Sequence, residues 1–493
     1  MDVRTLRALE WDRVLALLSL CASTAEGKGR ARSLLPAMDA DTVRSRHERV
    51  RECVAGESLT GRLSLEGYQR TPTSVPQGLA FPLETPRAVR GNLRVVNRAL
   101  AWLADPSSPK PALLARAPKS PALTGLSRLL EKTLDDRGDV ADGASDRLRG
   151  IRRERERARG QVLGRMEDLV DRLGGSVLRD ATYTIRGGRL VLPVLASRKG
   201  EVKGILHDVS STGATAFIEP MEVVELNNRL AALDGEEREE IARILAEVSG
   251  KISEASEDLE SAYAFVESLD LDLACARLGK AAGGHLPDLA DGEEFDLRQA
   301  RHPLLVASLS GLRREAWGEA PREDAVPLDL ALSPGGVRTL VISGPNAGGK
   351  SVALKTVGLL CLMPQAGIPL SAAAGTRLPV FPFVHATVGD TQSILDSLST
   401  FSARMAALRD AMADLKEPFL VILDELGSGT DPAEGAALGE AVLLHFHRRR
   451  GLTLASTHYE SIKARALTTD GMGNAGMEFE EDGLRPTCRL KMG

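Results

Sequence analysis

The octapeptide GPNAGGKS, Gly344–Ser351, lies between the apolar run RTLVIS and the stretch VALKTVGLL. A G-x-x-x-x-G-K-S loop set between a strand and a helix commits this part of the chain to an α/β architecture, because the loop works only when a strand delivers it to a helix N-terminus. Gly344, Gly348 and Gly349 let backbone N–H groups approach an anion. Lys350 is the cation for β- and γ-phosphates, and Ser351 is the hydroxyl for a magnesium ion.

Asp424 follows Lys350 by 74 residues, in FLVILDELGSGTDP. This apolar strand ends in adjacent carboxylates, with Asp424 expected on the metal side and Glu425 expected to orient or deprotonate an attacking water. A second apolar strand, LTLASTHY, ends at His458, placed to sense a γ-phosphate. Ser397, Ser399, Thr400 and Ser402 precede a helical stretch, and such an N-terminus can bind the γ-phosphate of a nucleotide held by a partner subunit. ATP with Mg²⁺ is the expected ligand pair.

The rest of the chain is organised differently. At 493 residues, 43% of them hydrophobic, it fits two to four domains. Five cysteines, Cys21, Cys53, Cys275, Cys361 and Cys488, form no CxxC pair, so neither a zinc site nor a disulfide framework is expected and a reducing cytoplasm is. The start MDVRTLRALEWDRVLALLSL mixes charge into an amphipathic helical pattern instead of a signal peptide's apolar block. No segment reaches the roughly 18 apolar residues of a membrane helix.

From 145 to 173, Leu148, Ile151, Leu163, Met166, Leu169 and Leu173 recur at helical spacing among eight arginines between Arg147 and Arg165. Short β-like runs broken by glycine pairs follow, and after Pro220 an acidic amphipathic stretch returns to the helical period. That order predicts an antiparallel coiled-coil arm with a small β-rich clamp at its tip. A 30-residue helix would carry the tip roughly 45 Å from its base. The expected division is an N-terminal helical core over 1–140, a first arm helix over 141–180, the clamp over 181–220, a second arm helix and return over 221–290, and the P-loop ATPase domain over 291–493.

A net charge of −5 argues against a chain basic all over, but not against a local basic surface. With 3% aromatic residues, base-stacking platforms are not expected. Arg186, Arg189, Arg198, Lys199 and Lys203 crowd the clamp segment and are the candidate phosphate contacts.

Read in order, RHPLL, SGPNAGGKS, SLSTFSARM, LDELGSGTDP and STHY resemble the MutS family of ABC-type ATPases. The segment IRGGRLVLPV, with GILHDVSSTGATAFIEPMEVVELNN, is similar to the type-two bacterial branch, which lacks the mismatch-reading domain. The resemblance implies nucleotide contacts by Gly344, Pro345, Asn346, Ala347, Gly348, Gly349, Lys350 and Ser351. It implies magnesium and hydrolysis roles for Asp424 and Glu425, a sensor role for His458, and a contact in trans from Ser399 and Thr400. It also implies a homodimeric clamp that closes on branched or duplex DNA, suppressing recombination, or on stalled ribosomes and their rRNA, splitting subunits.

Mismatch-reading members of that family carry an N-terminal Phe-x-Glu wedge, whereas FIE at Phe217 and FVE at Phe265 lie in the middle segment, so mismatch recognition is not expected. Type-two members usually continue into a linker and a small MutS-related nuclease domain, whereas this chain stops at RPTCRLKMG, so nuclease activity and dimerisation are expected to belong to a longer protein. A transporter ATPase subunit would require an LSGGQ-like signature where this chain has LSTFS. A coiled-coil scaffold with a vestigial nucleotide site fits poorly with intact Lys350, Ser351, Asp424 and Glu425.

Overall fold

The computed structural model describes residues 2–76, 78–290, 292–318, 325–344, 348–389, 400–480 and 485–493, with the main chain alone at 400–403, 479–480 and 485–488. Among the described residues, helices and three sheets build two compact units, each assembled from segments distant in sequence. One comprises 1–69, 95–118 and 262–493, the other 70–94 and 119–261.

The second unit contains β1 (Thr184–Arg186), β2 (Arg189–Leu195), β3 (Gly204–Val209) and β4 (Thr215–Pro220), in the antiparallel order β1-β2-β4-β3. Two long helices flank the sheet in sequence, Asp146–Val177 and Met221–Glu254. The first starts where Ser145 caps it, its hydroxyl accepting from Leu148 N at 2.9 Å. Its regular φ/ψ breaks at Gly174, whose φ is 61°.

Leu148, Ile151, Ala158, Val162, Met166 and Leu169 belong to the buried stripe of that helix, spaced by three, four or seven residues. Polar links register it against its neighbour: Ser145 with Glu240, Arg152 with Glu237, Arg229 with Glu154, Arg172 with Glu222. One number rises as the other falls, so the helices run antiparallel. Val162, Met166, Leu192, Val194, Ile218 and Val223 join the helix pair to the sheet in one apolar cluster.

Among the described residues, ten strands lie in the first unit: β5 (Asp288–Leu289), β6 (Phe295–Ala300), β7 (Leu328–Leu332), β8 (Thr339–Ser343), β9 (Arg377–Leu378), β10 (Phe383–Thr387), β11 (Phe419–Leu423), β12 (Gly451–Ser456), β13 (Met472–Glu480) and β14 (Arg485–Met492). The larger sheet has the order β10-β11-β12-β8-β13-β14, parallel except for β14. β11 is a continuous apolar run and β12 is apolar but for Thr453 and Ser456, and both are buried at every position, as a parallel sheet covered on both faces requires. Val341, Phe419, Val421, Leu443, Phe446, Ala455 and Ile462 form much of its core.

The chain's beginning belongs to this same unit. Ala386 N donates to Thr5 Oγ1 at 3.3 Å, Ala37 N donates to Gln365 O at 2.9 Å, and His47 Nε2 lies 2.8 Å from Pro364 O. Cys21, Cys53, Cys275 and Cys361 are buried free thiols. Among the described residues no helix is long and apolar enough to cross a membrane.

Candidate functional site

Strand order decides what can meet at the C-terminal edge of the larger sheet. β12 lies between β11 and β8, so the turn after β11, the turn after β12 and the loop after β8 stand side by side. Crevices at the carboxyl ends of strands are where open α/β sheets take ligands.

β8 delivers Gly344, at φ 138°, and Gly349 precedes the helix Lys350–Gln365 with φ 89°. Residues 345–347, and with them Pro345, Asn346 and Ala347, lie outside the described residues; Gly348 is buried. Lys350 is only 3% exposed. Its ammonium donates to Gly344 O at 2.6 Å and to His458 Nε2 at 3.2 Å. Burial lowers the ammonium's pKa, while the negative charges of Asp424 and Glu425 oppose the shift.

Ser351 Oγ donates to Asp424 Oδ2 at 2.6 Å. The other carboxylate oxygen, Oδ1, accepts from Ser456 Oγ at 2.5 Å. Glu425 has φ 51°, a left-handed conformation that costs a non-glycine residue about 1–2 kcal/mol. Hydrogen bonds from the end of β12 offset that strain: Glu425 N donates to Ser456 Oγ at 2.8 Å, Leu426 N to Ser456 O at 2.8 Å, and Thr457 Oγ1 to Leu426 O at 3.1 Å. Farther along the turn, Tyr459 OH donates to Gly427 O at 3.1 Å, and Asp431 caps the helix Pro432–His447.

The structure thus brings Lys350, Ser351, Asp424, Glu425 and His458 to one edge. Serine hydroxyl and carboxylate oxygens are hard donors, suited to a magnesium ion that keeps most of its coordination for water and phosphate. Among the described residues there is no cluster of three or more His, Cys, Asp or Glu that would hold a metal unaided. Lys350, beside them on the phosphate loop, matches the charge of a nucleotide's phosphates.

Ser399 lies outside the described residues; Thr400 opens the helix Thr400–Ala413, with its side chain outside them. Arg404 of that helix reaches the acid turn, Nη1 donating to Ser428 Oγ at 2.8 Å. Sequence reasoning missed Arg404 and Ser456. The one signal for Ser456 was a polar residue closing the mostly apolar run GLTLAS.

In the second unit the five clamp cations separate by environment. Arg189 pairs with the fully buried Glu219 at 2.8 Å and donates to Asn228. Arg198 pairs with Glu201 at 2.6 Å. Arg186 lies 3.7 Å from Asp208, its guanidinium 4.3 Å above the Phe217 ring. Lys199 and Lys203 are exposed and have no ion-pair partner among the described residues.

Burial pushes the Glu219 carboxyl up, but hydrogen bonds from Asn227, His207 and Arg189 outweigh it and hold the carboxyl below its ordinary range. The glutamate of this Phe-x-Glu is therefore enclosed in a polar network and presents nothing to a base. On the helix Asp146–Val177, Arg147, Arg152 and Arg155 pair with acids of the facing helix and Arg149 with Asp146. Arg153, Arg157, Arg159 and Arg165 are exposed without such partners among the described residues.

The family model for MutS domain V matches residues 340–490. The endonuclease MutS2 of Geobacillus sp. strain WCH70 is 37% identical over 501 residues, covering 100% of this chain and 62% of that protein. The endonuclease MutS2 of Symbiobacterium thermophilum is 37% identical over 507 residues, with 100% and 60% covered. That of Thermomicrobium roseum is 38% identical over 510 residues, with 100% and 62% covered. This chain thus spans about three fifths of the length of these relatives.

Proposed function

From the membership of this chain in the MutS family, on its MutS2 side, we propose that it is the ATP-binding and ATP-hydrolysing part of a cytoplasmic, homodimeric nucleic-acid clamp. The observation that carries this reading is the convergence of Lys350, Ser351, Asp424, Glu425 and His458 on one sheet edge. Lys350 and the phosphate loop, Gly344 through Ser351, bind the nucleotide; Ser351 and Asp424 hold its magnesium ion. Bound magnesium neutralises charge building on the phosphate oxygens. Glu425 orients the attacking water and takes its proton, while His458 and Lys350 hold the end of the phosphate chain.

Ser399 and Thr400 of each subunit complete the site of the other. The two antiparallel helices form the arm, with segments 141–180 and 221–290 on either side of a clamp at 181–220. Nucleic acid lies along the unpaired arginines Arg153, Arg157, Arg159 and Arg165 and the lysines Lys199 and Lys203. A Cβ at Gly150, Gly160 or Gly164 would meet nothing within 4 Å, so this helix offers room for close approach of a phosphate backbone. The polyanion is branched DNA or ribosomal RNA, and crosslinking in cells followed by sequencing of the bound strand separates the two.

Lys350→Ala and Glu425→Ala test the enzymatic reading together. Loss of Lys350 removes a phosphate contact and abolishes ATP binding, whereas loss of Glu425 keeps binding and lowers turnover on the order of 10²- to 10⁴-fold. Unchanged ATP affinity in the Lys350 variant would overturn the assignment.

A further inference from the structure

Ser456 is fully buried at the end of β12 and touches both acids of the proposed ATPase site. Its single hydroxyl proton goes to Asp424 Oδ1, so the oxygen is left to accept Glu425 N–H at 2.8 Å. Its main-chain carbonyl takes the next amide, Leu426 N. One side chain therefore sets the rotation of Asp424 and pins the left-handed backbone of Glu425, two features that no local sequence preference supplies.

The other hydroxyl on Asp424 comes from Ser351, which donates to Oδ2. A hydroxyl whose oxygen ligates a cation points its proton away from that cation and toward an acceptor such as a carboxylate, so Ser351 and Ser456 each supply one oxygen of Asp424 with a donor. Of these two donors, Ser456 is the one whose oxygen also accepts the Glu425 amide.

We propose that Ser456 is a positioning residue that couples magnesium binding at Asp424 to the placement of Glu425. It acts through hydrogen bonds and touches neither nucleotide nor metal. The inference rests on the ATPase reading and deepens it: occupancy of the metal site and readiness of the water-orienting acid share one hydroxyl. Removing that hydroxyl leaves a carboxylate oxygen without its donor and the part-buried Glu425 N–H without its acceptor.

The test uses Ser456→Ala and Ser456→Thr, with three readouts: ATP affinity in EDTA, the Mg²⁺ concentration at half-maximal enhancement of nucleotide binding, and turnover at saturating Mg²⁺. In Ser456→Ala, ATP affinity in EDTA is expected to stay within about twofold of wild type, because the phosphate loop is untouched. The Mg²⁺ midpoint should rise, and turnover should fall, each by about 10- to 100-fold, the usual effect of losing an outer hydrogen bond to a metal ligand.

Ser456→Thr keeps the hydroxyl and should restore both quantities. A folded alanine variant with wild-type Mg²⁺ response and turnover would overturn the role, as would one whose affinity in EDTA collapses while the Mg²⁺ midpoint stays put. If the alanine variant is unfolded at the assay temperature, the folded threonine variant decides: wild-type values support the hydroxyl, and a raised midpoint counts against it. A wild-type chain that binds no ATP in EDTA would sink the nucleotide reading itself, an outcome distinct from any that concerns Ser456 alone.

Discussion

His458 Nε2 lies 3.2 Å from Lys350 Nζ, across a separation of 108 residues, and accepts a hydrogen bond from it. The same ammonium donates to Gly344 O, so Lys350 is held on the phosphate loop by a backbone carbonyl and an imidazole. A phosphate oxygen entering the loop therefore meets an ammonium whose position a carbonyl and an imidazole already fix.

His458→Ala is accordingly expected to keep ATP affinity within about threefold of wild type and to lower turnover by about 10- to 100-fold, because the imidazole matters most where charge develops. Equilibrium binding of a fluorescent ATP analogue and steady-state phosphate release separate the two quantities. A variant with wild-type turnover would remove His458 from the reaction.

Gly427 has φ 88°, and a Cβ built there would stand 2.5 Å from Gly435 O and 2.7 Å from the Tyr459 ring. Gly427→Ala is expected to cost about 2–3 kcal/mol, combining positive-φ strain with a clash against backbone. Gly125, inside the helix Pro121–Thr133 with nothing within 4 Å of its added Cβ, provides the contrast. Gly125→Ala should stabilise by about 0.5–1 kcal/mol through helix propensity. Urea unfolding of both variants checks the opposite signs.

Glu240 is 1% exposed, and hydrogen bonds from Arg243, opposed by burial and assisted by Ser145, draw its carboxyl down to about 2 from an ordinary 4.5. A folded-state pKa below the unfolded value adds stability that is complete above about pH 4.5 and disappears as pH falls toward about 2. Glu240→Gln should therefore be less stable than wild type at neutral pH, with the gap closing in acid. Thermal melts of both proteins at descending pH read this directly, and a gap independent of pH would refute it.

Lys199, Lys203, Arg153 and Arg157 are four of the exposed cations of the second unit that have no ion-pair partner among the described residues, whereas Arg189 is tied to Glu219. Replacing the four by alanine should weaken nucleic-acid binding without sequence preference. The salt dependence should flatten by about 0.9 log units per log unit of salt for each duplex phosphate that is no longer neutralised. Arg189→Ala should leave that slope unchanged and instead destabilise the β1–β4 sheet, since it strands a buried carboxylate. A slope altered by Arg189 and untouched by the four would reverse the assignment.

Features carried by contiguous residues were determined by the sequence alone. A loop of three glycines, a lysine and a serine between an apolar run and a helix, and two carboxylates closing another apolar run, are short-range chemistry. Helical spacing on either side of a glycine-punctuated stretch was equally local, since burial repeats every three to four residues and turns cost little where glycine stands. Tertiary structure decided which distant groups touch. Ser456 reaches Asp424 and Glu425 only because β12 lies between β11 and β8. Arg189 lost its freedom to Glu219, 30 residues on, and Arg152 to Glu237, 85 residues on, while Arg153, one position along the same helix, faces solvent. A charge run in sequence states how many cations a helix carries. Only the packed neighbour decides which remain open, because an ion pair depends on separation in space, and sequence distance does not encode it.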